Sequence, residues 1–279
     1  MVENSAYSDF MVKKAKTTQK STTSFQTPLM FLHGWGTTSN IWQSQVAFFT
    51  PKWPVMAPDF LHTAPHLPFF STPRTVETIV EGLSSLCHAY HLPPIHLVGW
   101  SLGSMMALEF SSRFPALVAS LTLVGGTPKF LADESFPWGL PKGELRLLRK
   151  RFQQNRVAAL TTFYQLLFTD REKNREVLLR ARNRLRSNRN ISDQALLEGL
   201  AILESTDLRP VLPHLSMPVL IIHGEEDKIC PIEAGLFMHQ HIPRSRLDTF
   251  PSCGHAPFLT REERFNRTVE DFLQSSGRP

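Results

Sequence analysis

The chain has 279 residues, of which 42% are hydrophobic, so one large domain with a sizeable buried core is possible. No apolar run approaches the roughly 18 residues of a transmembrane helix, and no apolar stretch follows the N-terminal lysines as in a signal peptide. Three cysteines are few for this length and odd in number, which favours free thiols in a reducing compartment. We therefore predict a cytoplasmic protein without a membrane partner.

The net charge of +5 is unevenly distributed along the chain. Residues 142–189 carry 14 lysines and arginines against 4 acidic residues, a net charge of +10, whereas the rest of the chain carries −5. A basic excess confined to one segment indicates a local acidic partner rather than a general affinity for polyanions.

The predicted elements alternate between strands and helices after a polar, lysine-rich segment at 1–27, which we interpret as a flexible arm. The candidate strands are Leu29–Leu32, Val55–Ala57, Ile95–Val98, Leu121–Val124, Val219–Ile222 and Leu247–Phe250. The candidate helices are Val76–Tyr90, Leu102–Phe114, Glu233–His241 and Glu262–Gln274. This order predicts an α/β fold whose mostly parallel central sheet has helices on both faces.

The alternation is interrupted between about Thr127 and Thr206, where helical patterns rich in Leu, Phe and Arg replace the strands. We therefore expect an α/β core at 28–127 and 206–279, with a helical lid inserted at 128–205. Such an insert would lie above the carboxyl ends of the strands, where open α/β sheets bind ligands.

The sequence "GWSLG" places Ser101 at a strand-to-helix turn between Gly99 and Gly103. This is the context of a nucleophile elbow, in which small flanking residues allow a close approach of strand and helix around a strained serine. The helix N-terminus that follows would favour developing negative charge. The alternative is a tight turn with a serine N-cap, since short patterns recur by chance.

A serine nucleophile needs a base and an acid that orients it, in the chain order Ser, Asp or Glu, His. Among the eleven histidines, only His255 follows the last strand. Asp227 lies in the loop directly after a buried strand, with Glu225 and Glu226 as near rivals. We predict that Asp227 orients His255 and that His255 deprotonates Ser101.

Two further acids are weaker candidates, because Asp59 precedes the serine and Asp207 lies where the insert returns to the core. His33 and His223 precede glycines at strand ends, where roles in backbone turns are expected. The paired histidines lack the cysteine or carboxylate neighbours of a metal site, so we expect neither a metal nor a cofactor.

The tetrahedral intermediate needs N–H donors, one from the residue after the nucleophile and one from a loop after an early strand. Leu102 and Trp35, in "FLHGWG", fit these positions. Trp35 and Trp100 are also candidates for walls of an acyl pocket, and Phe163 and Phe168 for an acyl tunnel. The alternative for these four side chains is ordinary core packing.

Together, "LHGWG", "GWSLG", "GLAILESTDLRPVLPHLSMPVLIIHGEEDKICP" and "HAPF" resemble the pimeloyl-acyl carrier protein methyl ester carboxylesterases of biotin synthesis. The general resemblance to α/β-hydrolases covers most of residues 28–275. The stretch at 199–218 is more specific, because hydrolase chemistry does not require it. The resemblance implies an α/β-hydrolase fold, cleavage of the methyl ester of carrier-bound pimeloyl, the triad Ser101, Asp227 and His255, and an oxyanion hole at Trp35 and Leu102.

The chain departs from this family in two places. The loop "PDFLHTAPHLPFFSTPR" keeps Asp59 but lacks the glycines that family members usually have there, so the rim of the site is expected to differ. The arginines with which family lids contact acyl carrier protein do not align cleanly, so no individual lid residue is transferred.

The lid sequence points to the same partner independently of the resemblance. If residues 171–189 form one helix, five arginines fall within about 60° of one another at 100° per residue. These are Arg171, Arg175, Arg182, Arg186 and Arg189. Such a row suits carboxylates or phosphate, and acyl carrier protein is acidic and presents a phosphopantetheine arm. The alternative is a solvated face; nucleic acid is disfavoured because no nucleic-acid motif is present.

Three functional hypotheses therefore stand beside one another. The first is a monomeric serine carboxylesterase acting on carrier-bound methyl esters. The second is a general short-chain esterase, thioesterase or lyase of the same fold, because a triad does not choose the substrate. The third is a catalytically silent hydrolase fold used for binding.

Overall fold

The computed structural model describes residues 27–61, 69–172 and 191–276. In this part of the chain, six parallel strands form one sheet in the order β2-β1-β3-β4-β5-β6. The strands are β1 Leu29–Leu32, β2 Val55–Met56, β3 Ile95–Trp100, β4 Val118–Val124, β5 Val219–Gly224 and β6 Ser245–Phe250. Each predicted strand is present, with ends that differ from the prediction by at most three residues.

The described helices follow the strands in the expected alternation. They are α1 Gln43–Phe49, α2 Val76–Ala89, α3 Leu102–Arg113, α4 Lys142–Gln154, α5 Arg156–Leu166, α6 Asp193–Ser205, α7 Ile232–His241, α8 Pro257–Thr260 and α9 Glu262–Ser276. Short 3-10 turns lie at Ser39–Trp42, Pro115–Leu117 and Arg209–His214. No helix within the described ranges is long and apolar enough to cross a membrane.

The central strands are hydrophobic without alternation because both faces of the sheet are covered. Every residue of β1, β3 and β5 is buried, whereas the edge strand β6 is largely half-buried. Helix α2, which connects β2 and β3, is capped at its N-terminus by Thr75, whose side chain forms a reciprocal capping box with Thr78. The predicted α/β class is confirmed.

The strand order reverses between β1 and β3, and a cleft at such a switch point is where open α/β sheets bind ligands. Trp35 follows β1 and Ser101 follows β3, so both lie at the carboxyl ends of these two strands. Helices α4, α5 and α6 lie between β4 and β5 in the chain. The Phe163 ring of α5 and the Leu196 backbone carbonyl of α6 both contact the Trp35 side chain. The exact division into a core and a lid at 128–205 stays a prediction.

Candidate active site

Ser101 occupies a strained turn between β3 and α3. Its backbone has φ +55° and ψ −121°, a conformation that L-residues rarely adopt. The turn is stabilised on both sides: Ser101 N donates to Val124 O at 3.0 Å, and Ser104 Oγ donates to Ser101 O at 2.6 Å. Strain of this kind persists only where the surroundings impose it, as the nucleophile at an elbow requires.

The two glycines of the motif are required by close backbone approaches. A Cβ on Gly99 would lie 2.3 Å from Gly103 O, and a Cβ on Gly103 would lie 2.4 Å from Leu32 O. Real Cβ atoms do not approach backbone oxygen so closely, so α3 can lie against β1 and β3 only because these side chains are absent.

Asp227 and His255 form a buried hydrogen-bonded pair. The Nδ1–H of His255 donates to Asp227 Oδ2 at 2.7 Å, and both side chains are fully buried. The other carboxylate oxygen, Oδ1, accepts from the backbone N–H groups of Ile229 and Cys230 at 2.8 and 3.0 Å. The carboxylate therefore has a fixed orientation and leaves His255 Nε2 as the nitrogen able to accept a proton.

His255 lies beside the serine turn. The indole Nε1 of Trp100, the residue before Ser101, donates to His255 O at 2.9 Å, and the two rings are 5.5 Å apart. Gly125, which follows the Val124 carbonyl that binds Ser101, would bring a Cβ within 3.1 Å of His255 Nδ1. His255 Nε2 is buried and has no hydrogen-bond partner among the described residues. The structure thus brings Ser101, His255 and Asp227 to the carboxyl ends of β3, β6 and β5.

The rival acids are engaged elsewhere. Glu225 is exposed and accepts from Thr249 Oγ1, and Asp207 forms an ion pair with Arg209 at 2.6 Å. Asp59 accepts from the backbone N–H and hydroxyl of Ser39 at 2.5 and 3.1 Å. Glu226 is exposed. None of these contacts involves His255, and among the five candidate acids the hydrogen bond to His255 is made by Asp227.

His223 is a buried neighbour of this pair. Its Nε2–H donates to Cys230 O at 2.7 Å and lies 3.6 Å from Asp227 Oδ2. Burial lowers the pKa of His223, and the Asp227 charge opposes this shift only in part. A neutral His223 leaves the negative charge of Asp227 available to His255.

The three thiols are unsuited to nucleophilic chemistry. All are free and buried. Burial raises the pKa of Cys87 to about 11, and burial together with the Glu172 carboxyl group raises that of Cys253 to about 12. The pKa of Cys230 is also raised by burial, so all three stay protonated near neutral pH.

The predicted oxyanion donors lie on either side of Ser101. Leu102 begins α3, and an N–H in the first turn of a helix has no partner within that helix. Gly34 and Trp35 run next to the serine, since a Cβ on Gly34 would lie 3.2 Å from the Ser101 Cβ. Both backbone positions suit stabilisation of negative charge that develops beside Ser101.

The four predicted substrate-contacting aromatics are all buried. Trp35 donates from Nε1 to Leu196 O at 2.8 Å and packs edge-on against Phe163 at 4.8 Å. Trp100 packs edge-on against Phe258, and the Phe168 backbone contacts the loop of His255. Trp35 and Phe163 connect the carboxyl end of β1 to helix α5. Trp100 instead packs in the core against Phe258 and next to His255.

Of the five arginines in the predicted basic row, only Arg171 lies within the described residues. It is exposed, and its Nη1 donates to Ser252 Oγ at 3.0 Å. Arg175, Arg182, Arg186 and Arg189 lie outside the described residues.

The fold and this site define a class of protein. The chain belongs to the alpha/beta hydrolase fold family, which it matches over residues 27–262. A solved esterase from Exiguobacterium antarcticum is similar in structure, with a TM-score of 0.79 and 25% sequence identity over 89% of this chain and 92% of that chain.

The more specific resemblance is confirmed by curated relatives. A pimeloyl-[acyl-carrier protein] methyl ester esterase from Nitrosomonas europaea is 34% identical over 85% of this chain and 92% of its own length. A protein of the same name from Methylococcus capsulatus is 34% identical over 89% of this chain and 95% of its own length.

Some contacts at the site were not foreseen from the sequence. The Trp100 indole binds the His255 carbonyl, and the Leu167 carbonyl accepts from His255 N at 3.0 Å. Both join residues more than 80 positions apart, so no local pattern carries a signal for them. By contrast, "TDRE" at 169–172 has the Thr-x-x-Glu pattern of a capping box and could have drawn attention to Glu172.

Proposed function

We propose that this protein is a serine carboxylesterase that hydrolyses the methyl ester of pimeloyl-[acyl-carrier protein], releasing methanol and the free distal carboxylate. The observation that carries the chemistry is the buried Asp227–His255 hydrogen bond beside the strained Ser101 turn. The substrate is supported by the similarity to esterases named for it over most of the chain.

In the acylation step, Ser101 Oγ attacks the ester carbonyl carbon while His255 Nε2 takes the hydroxyl proton. The carbonyl π electrons move to oxygen, and the backbone N–H groups of Trp35 and Leu102 stabilise the resulting oxyanion. Collapse of this intermediate breaks the bond to the methoxy group, which leaves as methanol with the proton from His255.

Deacylation repeats the sequence with water. His255 removes a proton from water, the hydroxide adds to the acyl-serine carbonyl, and the C–O bond to Ser101 breaks as His255 returns the proton to Ser101 Oγ. Throughout, Asp227 keeps His255 in the tautomer with Nδ1–H and stabilises the imidazolium. No cofactor or metal takes part in these steps.

The partner is acyl carrier protein, which presents the substrate on its phosphopantetheine arm. Support comes from the +10 charge of residues 142–189 and from exposed basic side chains of α4 at Lys142, Arg146, Lys150 and Arg151. The row that begins at exposed Arg171 is the proposed docking surface. We place the enzyme in the cytoplasm, as a monomer.

The experiment offers purified protein two substrates: carrier-bound pimeloyl methyl ester and a small ester such as p-nitrophenyl butyrate. We expect turnover of both, with no turnover by Ser101→Ala. Replacing Arg175, Arg182 and Arg186 by glutamate should lower kcat/KM for the carrier-bound ester only. Equal losses on both substrates would reject the docking surface.

Two other results would reject the proposed substrate or chemistry. Turnover of the small ester alone would favour a general short-chain esterase over an enzyme specific for the carrier-bound ester. No turnover, together with no labelling of wild type by a fluorophosphonate, would favour a silent binding fold. Rescue of a biotin-requiring strain that lacks this esterase, by wild type but not by Ser101→Ala, provides the test in cells.

A further inference from the structure

The loop that carries His255 is held by the segment Leu167–Glu172, which follows α5 and does not belong to the sheet. Two successive N–H groups of this loop donate to that segment: His255 N to Leu167 O at 3.0 Å, and Gly254 N to Glu172 Oε2 at 2.9 Å. The position of His255, the proposed base, is therefore determined partly by a segment outside the strands that position Ser101 and Asp227.

Glu172 is unusual because its carboxyl group is completely buried. Its Oε2 also accepts from Thr169 N at 2.9 Å, while Thr169 Oγ1 accepts from Glu172 N at 3.2 Å. The only cation near it in the described ranges is Arg261, whose Nη1 lies 4.0 Å from Oε1. Burying a carboxyl group is unfavourable unless hydrogen bonds compensate for the lost water.

A capping box explains only the contacts with Thr169, because such a box satisfies backbone groups of its own turn. A capping box also forms at a protein surface, so it does not require the carboxyl group to be buried. The additional bond to Gly254 joins residues 82 positions apart and leads directly to His255. This third contact distinguishes Glu172 from an ordinary capping residue.

The contact leaves little room for movement. A Cβ on Gly254 would lie 2.6 Å from Leu167 O, 3.1 Å from Glu172 Oε2 and 3.2 Å from the Phe168 Cα. Backbone therefore packs directly on backbone here. The imidazole of His255 is held by Asp227, and its backbone carbonyl is held by the Trp100 indole. A displacement of Gly254 would therefore change the orientation of the imidazole relative to Ser101.

From this geometry we propose that Glu172 is a positioning residue for His255, acting through the Gly254 N–H. The inference rests on the proposed serine esterase chemistry but not on its carrier-bound substrate. Catalytic groups lose about 10²-fold in rate when displaced by about 1 Å, so a small change at Glu172 should be visible in kcat.

The test compares Glu172→Met with Glu172→Gln on p-nitrophenyl butyrate. Methionine fills a similar volume but offers no carboxyl oxygen, whereas glutamine retains an oxygen that can accept from Thr169 N and Gly254 N. We expect Glu172→Met to lower kcat about 10- to 100-fold with KM within about twofold. Glu172→Gln should recover most of that loss, and fluorophosphonate labelling of Ser101 should slow in parallel.

Glu198→Gln is the matched control. Glu198 lies in α6 and, like Glu172, has a largely buried carboxyl group. It pairs with Arg74 at 3.2 Å and not with the His255 loop. This variant should lower Tm while leaving kcat within about twofold.

Three results would overturn the proposal: an unchanged kcat in Glu172→Met, equal losses in both Glu172 variants, or a Glu172→Met chain that does not fold. The last would make the carboxyl group a folding requirement only. If wild type hydrolyses the small ester but not carrier-bound substrate, the proposed substrate fails while this comparison still decides the role of Glu172.

Discussion

Replacing Asp227 by asparagine tests the proposed mechanism most directly. Oδ1 of Asp227 already accepts two backbone N–H groups, from Ile229 and Cys230. An asparagine would keep its oxygen there, because the amide nitrogen cannot accept those bonds. Its NH₂ group would then face His255 Nδ1 in place of the carboxylate that accepts at 2.7 Å.

This exchange forces His255 into the wrong tautomer. With Nδ1 as acceptor, the proton of a neutral imidazole lies on Nε2, which can no longer take the proton of Ser101. We expect a loss in kcat of about 10⁴-fold, which corresponds to about 5 kcal/mol of transition-state stabilisation. Because the bonds to Ile229 and Cys230 are kept, the variant should still fold.

The assay is steady-state hydrolysis of p-nitrophenyl butyrate, with Tm measured on the same samples. The matched control is Glu225→Gln, which changes an exposed carboxylate two positions away that contacts Thr249 and not His255. The control should keep wild-type kcat. A folded Asp227→Asn variant with kcat within tenfold of wild type would refute the assignment of Asp227 as the orienting acid.

Three further predictions concern stability and reactivity. Gly103→Ala should lower the free energy of unfolding by more than about 2 kcal/mol, because its Cβ would collide with Leu32 O. Gly143→Ala, with nothing within 4 Å, should raise it by about 0.5–1 kcal/mol through helix propensity; thermal denaturation that ranks the two variants equally would contradict the elbow geometry. Burial lowers the pKa of His96 to about 4, whereas an unfolded chain titrates near 6.5. The unfolded state therefore binds more protons between these values, so stability falls as pH drops from about 6.5 towards 4. Urea denaturation at several pH values should show a shallower fall in His96→Asn, and parallel slopes would refute this contribution. Finally, the buried, protonated thiols of Cys87, Cys230 and Cys253 should react with a thiol reagent only after unfolding; rapid reaction of native protein would show that one of them is accessible.

The sequence by itself determined the order of the strands in the chain and the class of fold. Continuous apolar runs between turn residues mark strands that are buried on both faces, and this property is local to each run. The Gly-x-Ser-x-Gly pattern is likewise local, and the need for Gly99 arises from Gly103 O only four residues away. Chain order alone was enough to select His255 and to place the acid in the loop after β5, where Asp227 has Glu225 and Glu226 beside it.

Only the tertiary structure decided how these residues are held. Between Asp227 and Glu225 the sequence offers similar chemistry, and the choice depends on which carboxylate is buried against His255. The supports of the histidine come from Trp100, Leu167 and Glu172, each more than 80 positions away from the residue that it contacts. Such contacts leave no periodic signal, because they depend on how separate elements pack rather than on the spacing within any one of them.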